Sequence, residues 1–136
     1  MSTQTSVSTA SPTAFVDAWW SRVRAGDKVV QHCESCNALQ LYPRRRCVKC
    51  GSAQLGLRDV SGNAKVYTFT VVLHNAPSDF QAQLPYVLGV VELEEGPRML
   101  TRLVNCDADS VKCDMPVRWT LGEIGGKQLP CFAPAT

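Results

Sequence analysis

The sequence has no apolar run approaching the roughly 20 residues that a membrane-spanning helix needs. Its first eleven residues, MSTQTSVSTAS, contain neither basic residues nor an apolar stretch, so they do not have the pattern of an export signal. Their composition predicts a disordered tail over residues 1–11. From these absences we expect a cytoplasmic protein without a membrane partner.

An excess of charge of one sign is also lacking. The 136 residues include 14 basic and 12 acidic side chains, which gives a net charge of +2. A protein that binds nucleic acid mainly through phosphate contacts is usually more basic, so the balance disfavours that function. Hydrophobic residues make up 45% of the chain, enough for a packed core in one compact unit or two small ones.

Catalytic side chains are scarce. The chain has two histidines, His32 and His74, and no Gly-rich phosphate loop, Ser nucleophile motif or HExxH. Cys106 or Cys113 could in principle act as a nucleophile with His74 as its base, but nothing in their spacing along the sequence supports such a pair. We therefore expect a chain that is not catalytic alone.

Cysteine is the residue with an informative pattern. An odd total of seven, without an export signal, disfavours a disulfide framework and favours a reducing cytosol. Four of them form two CxxC pairs in QHCESCNALQLYPRRRCVKCGS: Cys33, Cys36, Cys47 and Cys50. This is the layout of a tetrahedral thiolate metal site. Asn37 and Gly51 follow the two pairs, where such turns favour a positive φ.

Zinc is the predicted ion, because a closed four-sulfur site suits it; a single iron and a redox CxxC are the alternatives. A structural zinc contributes on the order of 10 kcal/mol to folding, so the ribbon at residues 29–56 should unfold without metal. Arg44, Arg45, Arg46 and Lys49 surround the second pair. They either offset the net charge of about −2 on a zinc tetrathiolate, or bind a coenzyme A phosphate, an acidic partner or nucleic acid.

Residues 12–25, PTAFVDAWWSRVRA, predict a helix within an N-terminal region spanning 12–28. Phe15, Trp19 and Val23 fall at i, i+4 and i+8, with Trp20 beside them. Two interpretations of the tryptophans remain open. They pack against the chain's own domain, or they form an apolar face for a partner subunit.

From residue 57 onward the hydrophobic period is two, and turn signals separate five short runs. The pattern predicts a mainly β fold in which residues 57–136 form a five-stranded OB-fold barrel. In the first run, Tyr67, Phe69, Val71 and Leu73 are predicted to share one face. A long loop at 74–85 contains Phe80, either a partner contact or a plug over the barrel mouth.

The order of helix, four-cysteine ribbon and barrel resembles a family of small bacterial and archaeal proteins, long catalogued as having unknown function, that join a rubredoxin-like zinc ribbon to an OB fold. The motifs that carry the resemblance are FVDAWWSRV (15–23), CESC (33–36), YPRRRCVKC (42–50), SGNAKVYTFTVV (61–72) and PYVLGVVELEEGPRM (85–99). The chain departs from the family at Asn37 and Ala64, where glycine is usual. Neither change removes a metal ligand.

The resemblance implies a non-catalytic accessory subunit that accompanies a thiolase-like acyl-CoA enzyme, or a related hydratase or acyltransferase, in a hetero-oligomer. Zinc would be the scaffold and a coenzyme A thioester a shared ligand. Arg44 matches the family's Pro-Arg before the third cysteine, and Trp19, Trp20 and Phe80 are the other predicted contacts. The alternative is a zinc-ribbon and OB-fold module for nucleic acid, in which Tyr67 and Phe69 stack on bases.

Overall fold

The computed structural model describes residues 14–74, 76, 78, 84–124 and 126–135. The predicted tail and Phe80 lie outside these residues. The chain divides into two compact units, the first ending at Asp59 and the second beginning at Val60. No helix in the described part combines the length and the apolar character that crossing a membrane requires.

The first unit contains a helix, α1 (Ala14–Arg24), and a three-stranded antiparallel sheet. Its strands are β1 (Val29–Cys33), β2 (Leu39–Gln40) and β3 (Leu55–Asp59), in the order β2-β1-β3. All five residues of β3 pair with β1. The ribbon sheet therefore continues three residues beyond position 56, where the sequence placed the boundary with the barrel.

Helix α1 ends at Arg24, one residue before the predicted end at position 25. Gly26 has a φ of +102°, and its N–H donates to the carbonyl of Val23 at 3.0 Å, which closes the last turn. Arg22 forms ion pairs with Asp27 at 2.7 Å and with Asp59 at 3.0 Å. These contacts tie the end of the helix to the loop that follows it and to the end of β3.

The second unit is a closed five-stranded barrel, which confirms the predicted OB fold. Its strands are β4 (Asn63–Val72), β5 (Tyr86–Leu93), β6 (Arg98–Leu103), β7 (Pro116–Ile124) and β8 (Lys127–Pro134). They are arranged in the order β4-β5-β6-β8-β7, and β7 pairs with β4 to close the ring. The β6–β8 contact is parallel and the others are antiparallel.

The barrel interior follows the predicted alternation in β6 but not in β4. Met99, Thr101 and Leu103 are buried together, as their period of two indicates. In β4 a bulge between Val66 and Thr68 shifts the register against β5. Tyr67, which the period of two places on one face with Phe69, Val71 and Leu73, lies at this bulge and is 48% exposed, whereas Val66 beside it is buried.

Candidate metal centre

The four predicted ligands converge. The sulfur atoms of Cys33, Cys36, Cys47 and Cys50 all lie within 4.8 Å of one another. Two cross-pairs, Cys33–Cys50 and Cys36–Cys47, have Sγ–Sγ distances of 3.6 Å. A tetrahedral zinc with bonds of about 2.3 Å separates its sulfurs by about 3.8 Å. The cluster therefore fits a zinc tetrathiolate with little adjustment.

The two CxxC turns are built alike. The N–H of Cys33 donates to the carbonyl of Ala38, and the N–H of Cys47 donates to that of Ser52. In each turn the residue after the second cysteine donates its backbone N–H to the first: that of Asn37 to the carbonyl of Cys33, and that of Gly51 to the carbonyl of Cys47. Asn37 has a φ of +64° and Gly51 of +79°, which confirms the expectation of positive φ at both positions. His32 lies 3.2 Å from the Asn37 side chain, so it supports the first turn.

Backbone N–H groups stabilise the thiolate form of some of the sulfurs, which is the form that binds a metal cation. The N–H groups of Cys50 and Lys49 point at the sulfur of Cys47 and lower the pKa of its thiol to about 6, against the opposing effect of burial. The N–H of Ala38 also favours the thiolate of Cys36, but burial and the neighbouring sulfurs outweigh it and raise the pKa of Cys36 to about 12. A metal ion displaces the protons that the cluster retains.

A pair of buried glutamines holds the second turn in place, a feature that no spacing in the sequence reveals. Gln31 and Gln40 are 3% and 5% exposed. The Gln31 side chain accepts from the N–H of Arg44 and donates to its carbonyl, both at 2.8 Å. The Gln40 side chain accepts from the N–H of Val48 at 2.9 Å and donates to the Arg46 carbonyl at 3.3 Å. The loop that carries the arginines is therefore fixed through its backbone.

The cationic side chains of that loop face solvent. Arg44, Arg45 and Arg46 are all exposed, as is Lys49. Arg46 donates to the carbonyl of Gly51 at 3.1 Å, so it covers the turn after the last cysteine. The Arg45 guanidinium lies 6.0 Å from the centre of the Phe15 ring. The positive charge of this loop therefore lies close to the thiolates and is exposed to solvent.

The two tryptophans of α1 differ in environment. Trp19 is fully buried within its unit, its indole N–H donates to the Val29 carbonyl at 2.8 Å, and its ring packs edge-on against Tyr42. Trp20 is half-buried and carries the Arg24 guanidinium 4.8 Å above its ring. The first of the two interpretations, packing within the chain's own domain, therefore applies to Trp19, and Trp20 is the tryptophan that keeps exposed surface.

Fold and site together define a class: a rubredoxin-like ribbon with a four-cysteine site, followed by an OB-fold barrel. Residues 20–56 match a family model described as "ChsH2, rubredoxin-like zinc ribbon domain", and residues 57–121 match "ChsH2, C-terminal OB-fold domain". A solved structure titled "Ltp2-ChsH2(DUF35) aldolase" contains a chain with 32% identity and a TM-score of 0.78. The match covers 88% of this chain and 94% of that one. The chain belongs to this DUF35 family, that of the ChsH2 ribbon and OB-fold domains.

Two relatives match this chain over part of their own length. A "DUF35 domain-containing scaffold protein" of Methanocaldococcus jannaschii is 40% identical over 86 residues, which cover 62% of this chain and 60% of that protein. A protein of Thermomonospora curvata named "Probable enoyl-CoA hydratase alpha subunit" is 33% identical over 118 residues, covering 86% of this chain and 36% of that protein. The chain thus spans less than two thirds of either relative.

Proposed function

We propose that the chain is a non-catalytic accessory subunit of a complex that acts on acyl-CoA thioesters, with a thiolase-like enzyme as its catalytic partner. The observation that carries the proposal is the similarity along almost the whole chain to a chain of the structure titled "Ltp2-ChsH2(DUF35) aldolase". The relative named as a hydratase subunit supports the same substrate class. None of the seven cysteines forms a disulfide, which is consistent with the proposed cytoplasmic location.

Zinc is proposed as a scaffold with no part in the chemistry. Four thiolates would fill its coordination sphere and leave no position for a substrate. Among the described residues, these cysteines are also the only group of three or more potential ligands close enough to share a metal. The role of the ion is then to hold the ribbon together, and the partner would supply the nucleophile and base.

The arginine loop is proposed as the part of the ribbon that meets an anion. Gln31 and Gln40 hold the backbone of this loop through hydrogen bonds, so the exposed side chains of Arg44 and Arg46 extend from a fixed backbone. A guanidinium can bind phosphate through two parallel hydrogen bonds. A coenzyme A phosphate held between the subunits is the proposed ligand, with Arg44 as the first residue to test; an acidic patch of the partner is the alternative.

The first experiment is affinity purification of the zinc-loaded chain from its source organism, followed by mass spectrometry of co-eluting proteins and an absorbance ratio for nucleic acid. The proposal expects a near-stoichiometric thiolase-like protein whose turnover of acyl-CoA requires the chain. A chain that elutes alone, or with nucleic acid, overturns it.

The reconstituted complex tests the loop. Arg44→Gln should raise the KM for the acyl-CoA about tenfold, roughly the value of one charge-assisted hydrogen bond. Arg58→Gln, which removes an exposed cation from β3 of the same unit, is the matched control and should leave the KM unchanged. Equal KM values for the two variants would show that Arg44 does not contact the acyl-CoA, and the proposed accessory role would be unaffected.

A further inference from the structure

Two close sulfur pairs cross from one CxxC turn of the ribbon to the other. The sulfur of Cys33 lies 3.6 Å from that of Cys50, and the sulfur of Cys36 lies 3.6 Å from that of Cys47. The two pairs are nested along the sequence, because positions 36 and 47 both lie between positions 33 and 50. We call them the cross-pairs.

Each cross-pair combines an exposed cysteine with a buried one. Cys36 and Cys50 are exposed, whereas Cys33 is 0% and Cys47 4% exposed. A small oxidant such as hydrogen peroxide can therefore reach one member of each pair from solvent. The other member is shielded from solvent but lies beside the sulfur that is attacked first. An accessible thiolate next to a resolving cysteine is the usual arrangement of a redox-sensing site.

A metal-bound ribbon also presents its sulfurs in the form that reacts with an oxidant. The thiolate is the nucleophile, and coordination to a divalent ion keeps a cysteine deprotonated. The four sulfurs that hold zinc are therefore also four potential sites of oxidation.

We propose that the ribbon is a peroxide-responsive switch, in which two nested disulfides, Cys33–Cys50 and Cys36–Cys47, replace the zinc ion. The inference rests on the zinc scaffold proposed above and not on the identity of any partner. Disulfides in a reducing cytosol are usually transient and redox-sensing, so a reversible change is expected.

The chemistry of each cross-pair takes two steps. The exposed thiolate attacks the O–O bond of hydrogen peroxide, which gives a sulfenic acid and hydroxide. The buried thiolate then attacks the sulfenic sulfur and displaces a second hydroxide, which leaves the disulfide. With two protons taken from solvent, each disulfide consumes one hydrogen peroxide and yields two water molecules. Because disulfide sulfurs are no longer thiolate ligands, formation of both bonds releases the ion.

The two disulfides would connect the same parts of the ribbon as the metal. Each Sγ–Sγ distance has to shorten from 3.6 Å to about 2 Å. Both bonds join one turn to the other, whereas a disulfide within a CxxC pair would leave the turns unconnected. The hydrogen bonds from Gln31 and Gln40 to the second turn and the loop before it do not depend on the sulfurs. We therefore expect the oxidised ribbon to stay folded without zinc.

The first test measures zinc release. The zinc-loaded full chain is treated with a small excess of hydrogen peroxide in the presence of a chromophoric chelator. We expect one zinc ion to leave each chain, and dithiothreitol with added zinc to restore the bound ion. Cys113→Ser, at an exposed cysteine of the other unit, is the matched control and should release zinc in the same way. Retention of zinc by the oxidised chain overturns the proposal.

The second test reads the pairing directly, because the sequence provides a cleavage site between every two of the four cysteines. Cleavage after Glu34 separates Cys33 from Cys36, and tryptic cleavage separates these from Cys47 and Cys47 from Cys50. After remaining thiols have been alkylated, mass spectrometry of the non-reduced double digest should find VVQHCE joined to CGSAQLGLR and SCNALQLYPR joined to CVK. Any other pairing, or sulfinic acids in place of disulfides, overturns the proposal.

Amide spectra of the 15N-labelled chain separate this inference from the scaffold role of zinc. The reduced chain stripped of zinc should lose the dispersion of residues 29–59, whereas the oxidised chain should keep it. A reduced, zinc-free ribbon that stays dispersed contradicts the scaffold role, while the pairing found by digestion still decides the switch. Loss of dispersion in the oxidised chain shows that the disulfides do not replace the ion, and overturns the inference.

Discussion

Gln40 donates a hydrogen bond of 2.6 Å from its side-chain nitrogen to the side-chain oxygen of Gln31, inside the zinc ribbon. Each amide also bonds to the backbone of the loop before and within the second CxxC turn. Strands β1 and β2 are thereby joined to the turn that carries half of the metal ligands. The polar pair therefore links the ribbon sheet to the loop that carries Cys47 and Cys50.

Replacing Gln40 by Ala should therefore weaken zinc binding. The variant leaves buried polar groups without partners, at a cost of about 1–3 kcal/mol, which corresponds to a loss of zinc affinity of roughly 5- to 150-fold. Competition with a chromophoric chelator measures this. Gln54→Ala, at an exposed position of the same unit, should have no effect. An unchanged affinity of the Gln40 variant would mean that the second turn forms without the glutamine pair.

Removing a ligand should unfold the ribbon. Cys47→Ser takes away a buried sulfur that approaches Cys36 at 3.6 Å, so the site loses its fourth thiolate and most of the folding free energy that zinc supplies, on the order of 10 kcal/mol. Metal analysis should show zinc falling well below one ion per chain, and amide spectra should lose the dispersion of residues 29–59. Cys113→Ser, at an exposed cysteine of the other unit, is the control and should retain zinc. Dispersed ribbon signals in a zinc-free Cys47 variant would contradict the scaffold role.

The two neighbouring tryptophans should respond differently to truncation. Trp19→Ala removes a fully buried ring and its hydrogen bond to Val29, which should lower the free energy of unfolding by about 3–5 kcal/mol. Trp20→Ala removes a half-buried ring, so its effect should be clearly smaller. Urea denaturation followed by circular dichroism compares the two. Similar losses for both variants would show that Trp20 contributes as much to the packing of its unit as Trp19.

The β7–β8 hairpin contains a close approach that can be tested by a pair of substitutions. A Cβ at Gly122 would lie 2.8 Å from the sulfur of Cys131, which is buried. Gly122→Ala should therefore destabilise the barrel by about 1–3 kcal/mol. Cys131→Ala in the same chain removes the obstructing sulfur and should restore part of that loss. Thermal unfolding of the two single variants and the double variant gives the coupling energy; strictly additive effects would show that the sulfur is not the obstacle.

The metal ligands could be predicted from the sequence because a CxxC turn is local. Two intervening residues, and a following residue that accepts positive φ, define each half of the site. The glutamine pair could not be predicted in this way. Gln31 and Gln40 meet because β1 and β2 pair at that register, and their other partners come from a loop whose path depends on the pair itself. A buried glutamine has no sequence signature, since most glutamines are exposed.

The helix and the barrel show two further limits. Periodicity placed Trp19 on an apolar face of α1, but it does not say what covers that face; the ribbon's own Tyr42 and Val29 do. In β4 a bulge interrupts the alternation, and one extra residue moves the side chains that follow it to the opposite face of the strand. Tyr67 lies at this bulge on the outer surface, where the guanidinium of Arg98 stacks on its ring.

The closure of the barrel has a consequence for biosynthesis. Strand β6 meets β8 through the parallel pairing of Leu103 with Phe132, so the ring cannot be completed until the last strand has been translated. The ribbon, in contrast, has all of its strands and cysteines once Asp59 has left the ribosome. A nascent chain can therefore capture zinc and finish its first unit while the second is still an open sheet. If zinc has the proposed scaffold role, supply of the ion would govern folding of the ribbon, and synthesis of β8 would govern closure of the barrel.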